Sequence, residues 1–401
     1  MRADDSATYE VVVLLGTRSE AVKAAPLVRR LRLDTRVTVT VVDTGQHPGR
    51  VAEALAPFDL AVQVTLEPVR RTGSLAELAA ALLTATDGVL AIRRPAAVVV
   101  QGDTLSALVA GMVAFWQRIP VVHLQAGLRT HDLDRPFPEE ANRSMLSRIA
   151  ALNLAPTPTA RQHLLDEGVP DDRIVVTGST VVDALHHLLD HQLAQPPDWI
   201  DPTRRVVVVT LHRRENRGGG VFGVCSGLRF LARRFPDVQL VMVTHPNPTL
   251  GAAMTAQLGH TPGIRLTPPL VYPEMIGLLS VADLVITDSG GLQEEAGTLG
   301  VPVLVARDTT ERPEIIDSGH GTLVGTDPER LVAAATQELN VRSTAQRALP
   351  FGDGRASVLA VSAITDLLGL PPLPAEPTRT IAPAFHPGHL RPTPQTPAAL
   401  R

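Results

Sequence analysis

The sequence predicts an α/β protein of two doubly wound domains with a ligand cleft between them. Three observations carry this: short β-branched runs alternate with amphipathic helical stretches, the alternation restarts after a Pro-rich break beyond residue 194, and polar clusters follow directly after strand runs. The length of 401 residues agrees, because it exceeds what one hydrophobic core usually organises.

In chain order, VVVLL (11–15), VTVTVVD (37–43), AAVVVQGD (96–103), PVVHLQAG (120–127), LNLAPT (152–157) and RIVVTGS (173–179) read as six strands of a first domain over 1–195. VVDALHHLLDHQLA (181–194) reads as a helix, with His186 and His187 on its solvated side, and QPPDWIDPTRR as a linker. A second domain over 204–345 follows with VVVVTLH (206–212), VQLVMVTH (238–245), IRLTPP (264–269), DLVITDSGG (283–291) and PVLVAR (302–307). Unbroken apolar runs of this kind belong to parallel strands covered on both faces. Residues 350–370 read as a loop and a terminal helix, and 371–401, Pro-rich without apolar periodicity, as a disordered tail. Ligands are expected at the carboxyl ends of the strands.

Composition narrows the function. A formal net charge of −4 without long like-charge runs offers no footprint for nucleic acid or an anionic membrane. Cys225, the one cysteine, rules out an intramolecular disulfide framework. No apolar run is read as approaching a membrane span or the middle of a signal peptide, so the cytoplasm is the expected location. Alanine, valine, leucine, arginine and proline dominate, a usage like that of a GC-rich genome, where lysine drifts to arginine. Lys23 is the single lysine. A compact ammonium with three donors is not interchangeable with a planar guanidinium, so a site needing the former resists that drift.

The polar clusters supply the candidate chemistry. GTRSEAVK leads from the first strand into a helix and carries Arg18 and Lys23; it reads as a ligand turn or as an ordinary strand-to-helix turn with a solvated base. QGDT ends a strand at Asp103, which reads equally as a helix cap. HLQAGLRTHDLDRPFPEEANRSMLSRIA sets His123, Arg129, Glu139, Glu140, Asn142 and Arg143 where a plain connection is expected, and this density favours a site. TLHRREN repeats the theme at His212. DSGGLQEEAGTLG brings the amides of Ser289, Gly290 and Gly291 to a helix start, an anion site, with Glu294 and Glu295 one turn in. One of these carboxylates suits ribose hydroxyls; first-turn acids favoured by the helix dipole are the plainer alternative. TTERPE adds Arg312 and Glu314. There is no GxxxxGK[ST] loop, no GxGxxG after the first strand and no tight metal-ligand spacing.

GTRSEAVKAAPL, TGQH, QGDT, HLQAGLRT, PFPEEANR, VTGSTVVDAL, HRREN, HPNP, DSGGLQEEAGTLGVPVLV, RDTTERPE and PFGDGRAS follow one another as in the bacterial UDP-N-acetylglucosamine 2-epimerases, which the chain resembles over about 10–366. The resemblance implies a GT-B type fold of two Rossmann-like domains, UDP held mainly by the second, a homodimer, and no redox cofactor. It implies interconversion of UDP-N-acetylglucosamine and UDP-N-acetylmannosamine through elimination of UDP to a glycal and re-addition. Arg18, Lys23, Ser289, Gly290 and Glu295 then go to nucleotide binding, Glu295 on the ribose. Arg129, Arg213 and His245 join the substrate-binding set, and Asp103, Glu139 and His212 go to proton transfer or its support.

One departure bears on the chemistry. The family usually has a glutamate where this chain has Gln125, and an amide neither takes nor gives a proton at neutral pH. Either Glu139, Asp103 or His212 carries the acid–base work, or the catalyst is slow or redirected, or the protein binds a nucleotide sugar without epimerising it. A hydrolysing relative releasing N-acetylmannosamine and UDP, and a UDP-sugar glycosyltransferase, are the competing enzymes. Ser19, Ser179 and Gly297 depart less, and Gln46 is followed by Gly49 where a second glutamine is sometimes found, which argues against activation by a second substrate molecule.

Overall fold

The computed structural model describes residues 8–212, 219–245, 247–340 and 350–371. They form two compact units that divide after Leu193, and residues 350–371 return to the first.

The first unit runs β1 (Tyr9–Leu15), α1 (Arg18–Leu31), β2 (Val37–Asp43), α2 (Arg50–Leu55), β3 (Val64–Thr65), α3 (Leu75–Arg93), β4 (Ala97–Gln101), α4 (Leu105–Trp116), β5 (Val121–Leu124), α5 (Glu139–Ile149), β6 (Leu152–Ala155), α6 (Pro158–Asp166), β7 (Ile174–Val176) and α7 (Thr180–Asp190). Its seven strands are parallel in the order β3-β2-β1-β4-β5-β6-β7. The second unit runs β8 (Arg205–Thr210), α8 (Gly219–Arg234), β9 (Val238–Val243), α9 (Pro248–Leu258), β10 (Ile264–Thr267), α10 (Tyr272–Leu279), β11 (Leu284–Thr287), α11 (Gly290–Thr298), β12 (Val303–Val305), α12 (Pro313–Asp317), β13 (Gly321–Leu323) and α13 (Pro328–Asn340). Its six parallel strands take the order β10-β9-β8-β11-β12-β13. Both orders reverse beside the first strand of the unit, between β1 and β4 and between β8 and β11.

Each strand run read from the sequence is a strand, because helices cover both sheet faces and Val11 to Leu15 or Val206 to Val209 meet no water. The edge strands β3 and β13 were not legible. They have two and three residues with half-exposed side chains and carry no apolar run. The expected linker packs on the second unit: the backbone of Gln195 lies against Gly277, and Arg265 stacks 4.3 Å over the Trp199 ring. The terminal segment is part of the first unit. Ser179 donates its N–H to the Phe351 carbonyl, and the buried carboxylate of Asp183 accepts the amides of Ala356 and Ser357, which caps α14 (Ala356–Leu367).

Two readings need correction. α3 is a 19-residue helix with mean hydropathy 1.6, long and apolar enough to cross a membrane by length and composition. It packs instead through Leu78, Leu82, Thr86 and Leu90, a buried stripe at every fourth residue. His187 is half-buried, its ring stacked on Phe58 at 5.2 Å, rather than fully solvated. Cys225 is in the core of the second unit, where burial pushes its thiol up to about 11.

Candidate functional site

In the first unit the turns leaving β1 and β4 are neighbours at the strand-order reversal, where doubly wound sheets place their ligands. The β4 turn, Gly102 to Thr104, is held by three other elements. From β5, His123 Nε2 donates to the Gly102 carbonyl at 2.7 Å. From α5, Asn142 Nδ2 donates to the Asp103 carbonyl at 2.9 Å, and Arg143 Nη2 lies 3.2 Å from the Asp103 carboxylate. From α1, the Glu20 carboxylate accepts the Thr104 hydroxyl at 2.7 Å. Burial drives the His123 pKa down to about 4, so its ring is neutral, with the proton on the nitrogen that faces the carbonyl. Asn142 and Arg143 follow Glu139 at helical spacings of three and four, so the face of α5 that grips Asp103 also carries Glu139.

Lys23 lies in the second turn of α1 and is 6 % exposed. Its Nζ donates to Gln125 Oε1 at 2.6 Å, and Gln101 Nε2 donates to the same oxygen at 2.7 Å. A lysine can only donate, so this contact identifies the amide oxygen. The Gln125 backbone has φ +65°, a left-handed conformation that costs a non-glycine residue about 1–2 kcal/mol. Strain in a buried residue whose side chain meets the single lysine marks a constructed position. Arg18, half-buried, opens α1.

Glu20 was not singled out in the sequence. Its carboxylate is 1 % exposed; Oε2 accepts the Gly16 N–H at 2.9 Å and Oε1 the Thr104 hydroxyl. Desolvation pushes its pKa up to about 7 against these hydrogen bonds. A folded pKa above the unfolded 4.5 means that the native state holds the proton longer. The associated stability is present below about pH 4.5 and is lost as pH rises to about 7, roughly 3 kcal/mol in all.

Arg129, expected to bind substrate, is spoken for elsewhere. Its guanidinium makes a two-point ion pair with Glu167 at 2.6 and 2.8 Å, donates to the Leu128 carbonyl, and is 1 % exposed. It fastens the chain after β5 to the end of α6. Much of the polar run after β5 is therefore framework: it holds itself together and secures Asp103.

The second unit gathers its candidates at the corresponding reversal. The His212 N–H, just past β8, donates to Asp288 Oδ1 at 2.8 Å, just past β11, and the His212 and His245 ring centroids lie 6.1 Å apart. Arg213 lies outside the described residues. α11 starts at Gly290 with no side-chain cap from Ser289, and uncapped amides at a helix start suit an anion. A Cβ on Gly290 would lie 2.0 Å from the Arg312 guanidinium, so any larger residue there has to displace that arginine. Arg312 itself is tied to Glu294 and Glu311. Of the two neighbouring acids, one of which is expected on the ribose, Glu294 is thus committed to arginine. Glu295 lies beside Tyr272, whose hydroxyl pKa is pushed well up by burial and then by these two carboxylates. Among the described residues, no group of three or more His, Cys, Asp or Glu side chains is placed to hold a metal ion.

Two parallel-sheet units with polar turns at both reversal points define an α/β protein of the GT-B type. The chain belongs to the UDP-N-acetylglucosamine 2-epimerase family, whose model matches residues 29–365. It is 41 % identical over 360 residues to the UDP-N-acetylglucosamine 2-epimerase of Escherichia coli O157:H7, covering 86 % of this chain and 96 % of that one. The crystal structure of UDP-GlcNAc 2-epimerase from Neisseria meningitidis bound to UDP-GlcNAc is similar with a TM-score of 0.86 at 35 % identity, over 89 % of this chain and all of that one. The Methanocaldococcus jannaschii enzyme in complex with UDP-GlcNAc and UDP is similar with a TM-score of 0.80 at 31 % identity, over 89 % of this chain and 99 % of that one.

Proposed function

We propose that this protein interconverts UDP-N-acetylglucosamine and UDP-N-acetylmannosamine without hydrolysis. The observation that carries the reading is a likeness to epimerases that spans nearly their whole length, 96 % for the E. coli O157:H7 enzyme. The proton on the acetamide-bearing carbon is removed, the bond from the anomeric carbon to the diphosphate oxygen breaks, and UDP departs to leave a glycal. A proton then returns to the opposite face as the diphosphate oxygen re-adds at the anomeric carbon. Asp103, Glu139 and His212 are the groups for proton transfer and its support. Arg18, Lys23, Ser289, Gly290 and Glu295 hold the nucleotide, with Arg213 and His245 on the same substrate. Cations and helix-start amides aimed at a departing diphosphate stabilise charge that grows in the transition state. Chromatography of reactions begun from either nucleotide sugar tests this: both converge on one ratio of the two, whereas accumulating free N-acetylmannosamine, or no conversion, overturns it.

Gln125 enters as the acceptor that orients Lys23. Glutamate at this position keeps both bonds, because a carboxylate accepts from an ammonium and an amide as readily. Gln125→Glu is therefore expected to fold normally and to raise kcat about tenfold by adding a titratable group. An unchanged or lower kcat says that the site is organised around the amide.

The proposal extends to a homodimer working in the cytoplasm. Its support is an exposed apolar surface on the α3–α4–α5 side of the first sheet, where Ile92, Phe115, Trp116 and Met145 are each at least half exposed. Light scattering on the eluted protein is expected to give twice the 42.7 kDa chain mass. Phe115→Glu with Trp116→Glu is expected to halve it; a wild-type monomer contradicts the dimer.

A further inference from the structure

We propose that Glu20 is a positioning residue for the epimerisation, a clamp between the turn that carries Arg18 toward Lys23 and the turn that carries Asp103. The inference rests on the functional reading above and deepens it.

With 1 % exposure Glu20 cannot touch a substrate, yet both its oxygens are used. Oε2 takes the Gly16 N–H at 2.9 Å at the end of β1, and Oε1 takes the Thr104 hydroxyl at 2.7 Å, 84 residues away at the start of α4. A helix start needs no such reach. The Thr17 hydroxyl already caps α1 by accepting the Glu20 N–H, and the Thr104 hydroxyl oxygen caps α4 by accepting the Ala107 N–H. The carboxylate is additional to both caps, and it is the bond that joins them. Its desolvation works against folding at neutral pH, so stability does not account for the group. The second unit has the same device at its own reversal, where Asp288 holds the His212 amide. In both places a buried acid spans the two turns on which the proposed site residues stand. Misplacing a reacting group by about 1 Å can cost on the order of 10²-fold in rate.

Glu20→Leu fills much the same space and removes both acceptors, whereas Glu20→Gln keeps an oxygen for the Gly16 N–H and an NH2 group that can donate to the second lone pair of the Thr104 hydroxyl. Thr104→Val removes the partner, and Thr104→Ser keeps it. The experiment measures kcat and KM with UDP-N-acetylglucosamine at pH 8, together with the melting temperature of each variant. Glu20→Leu is expected to lower kcat by about 30- to 100-fold, with KM within about threefold, and Glu20→Gln to recover most of it. Thr104→Val is expected to lose a similar factor, Thr104→Ser to recover most of it, and the double variant Glu20→Leu with Thr104→Val to be no worse than the poorer single one. A Glu20→Leu enzyme within twofold of wild type, or a double variant whose losses multiply, overturns the clamp. A wild type that turns over no substrate overturns the functional reading, and the clamp with it.

Discussion

Lys23→Ala lowers kcat/KM for UDP-N-acetylglucosamine by about 10³-fold, the size of effect seen when one preorganised group facing developing charge is removed. The ammonium is 6 % exposed and donates to Gln125 Oε1 at 2.6 Å, a bond that fixes its place. On the proposed reading it faces the diphosphate, which becomes more negative as its bond to the sugar breaks. Lys23→Arg is expected to lose about 10²-fold, because the longer, planar guanidinium cannot put one donor where Gln101 and Gln125 leave room for a compact ammonium. Steady-state kinetics on variants with wild-type circular dichroism check both values. A Lys23→Arg enzyme with unchanged turnover and nucleotide affinity sinks the role, and would leave the survival of one lysine to chance.

The second large effect is at Asp103. Asp103→Asn is expected to lower kcat about 10²- to 10⁴-fold with KM changed only a few-fold, as fits a group that moves or steadies a proton. Its carboxylate keeps one side on Arg143 while its side chain remains 30 % exposed, so it is steadied and still reachable. The asparagine preserves the shape of the turn and the Asn142 bond to the backbone, which separates proton chemistry from folding. The check is kcat and KM over a pH range. A tenfold loss or less would reduce Asp103 to a helix-start residue and shift the proton work to Glu139 or His212.

The sheets were legible because strands covered on both faces are written as unbroken valine, leucine and isoleucine. The turns were legible because polar residues directly after such strands have few other reasons to be there. What failed was pairing across distance. Arg129 read as a ligand group because its neighbours are polar, but its partner Glu167 lies 38 residues on, at the end of a helix that carried no signal. Glu20 lies within Thr17-Arg18-Ser19-Glu20, a spacing that reads as a local helix cap. Its bond to Thr104 depends on β1 and β4 being neighbours, which strand order decides and local pattern does not. Residue pattern alone left Glu294 and Glu295 interchangeable; the resemblance put Glu295 on the ribose, and the fold brings Arg312 onto Glu294. Lys23 and Gln125 were each conspicuous alone, one by rarity and one by departure from the family; only the fold made them a pair.

The most direct measurement is proton NMR of the purified protein with UDP-N-acetylglucosamine in deuterated water, following the anomeric signal and that of the proton beside the acetamide. The account predicts UDP-N-acetylmannosamine carrying deuterium at the second sugar carbon, with deuterium entering the recovered substrate as the reaction reverses. Free N-acetylmannosamine with UDP as the only products, or product that keeps its original proton, would contradict it.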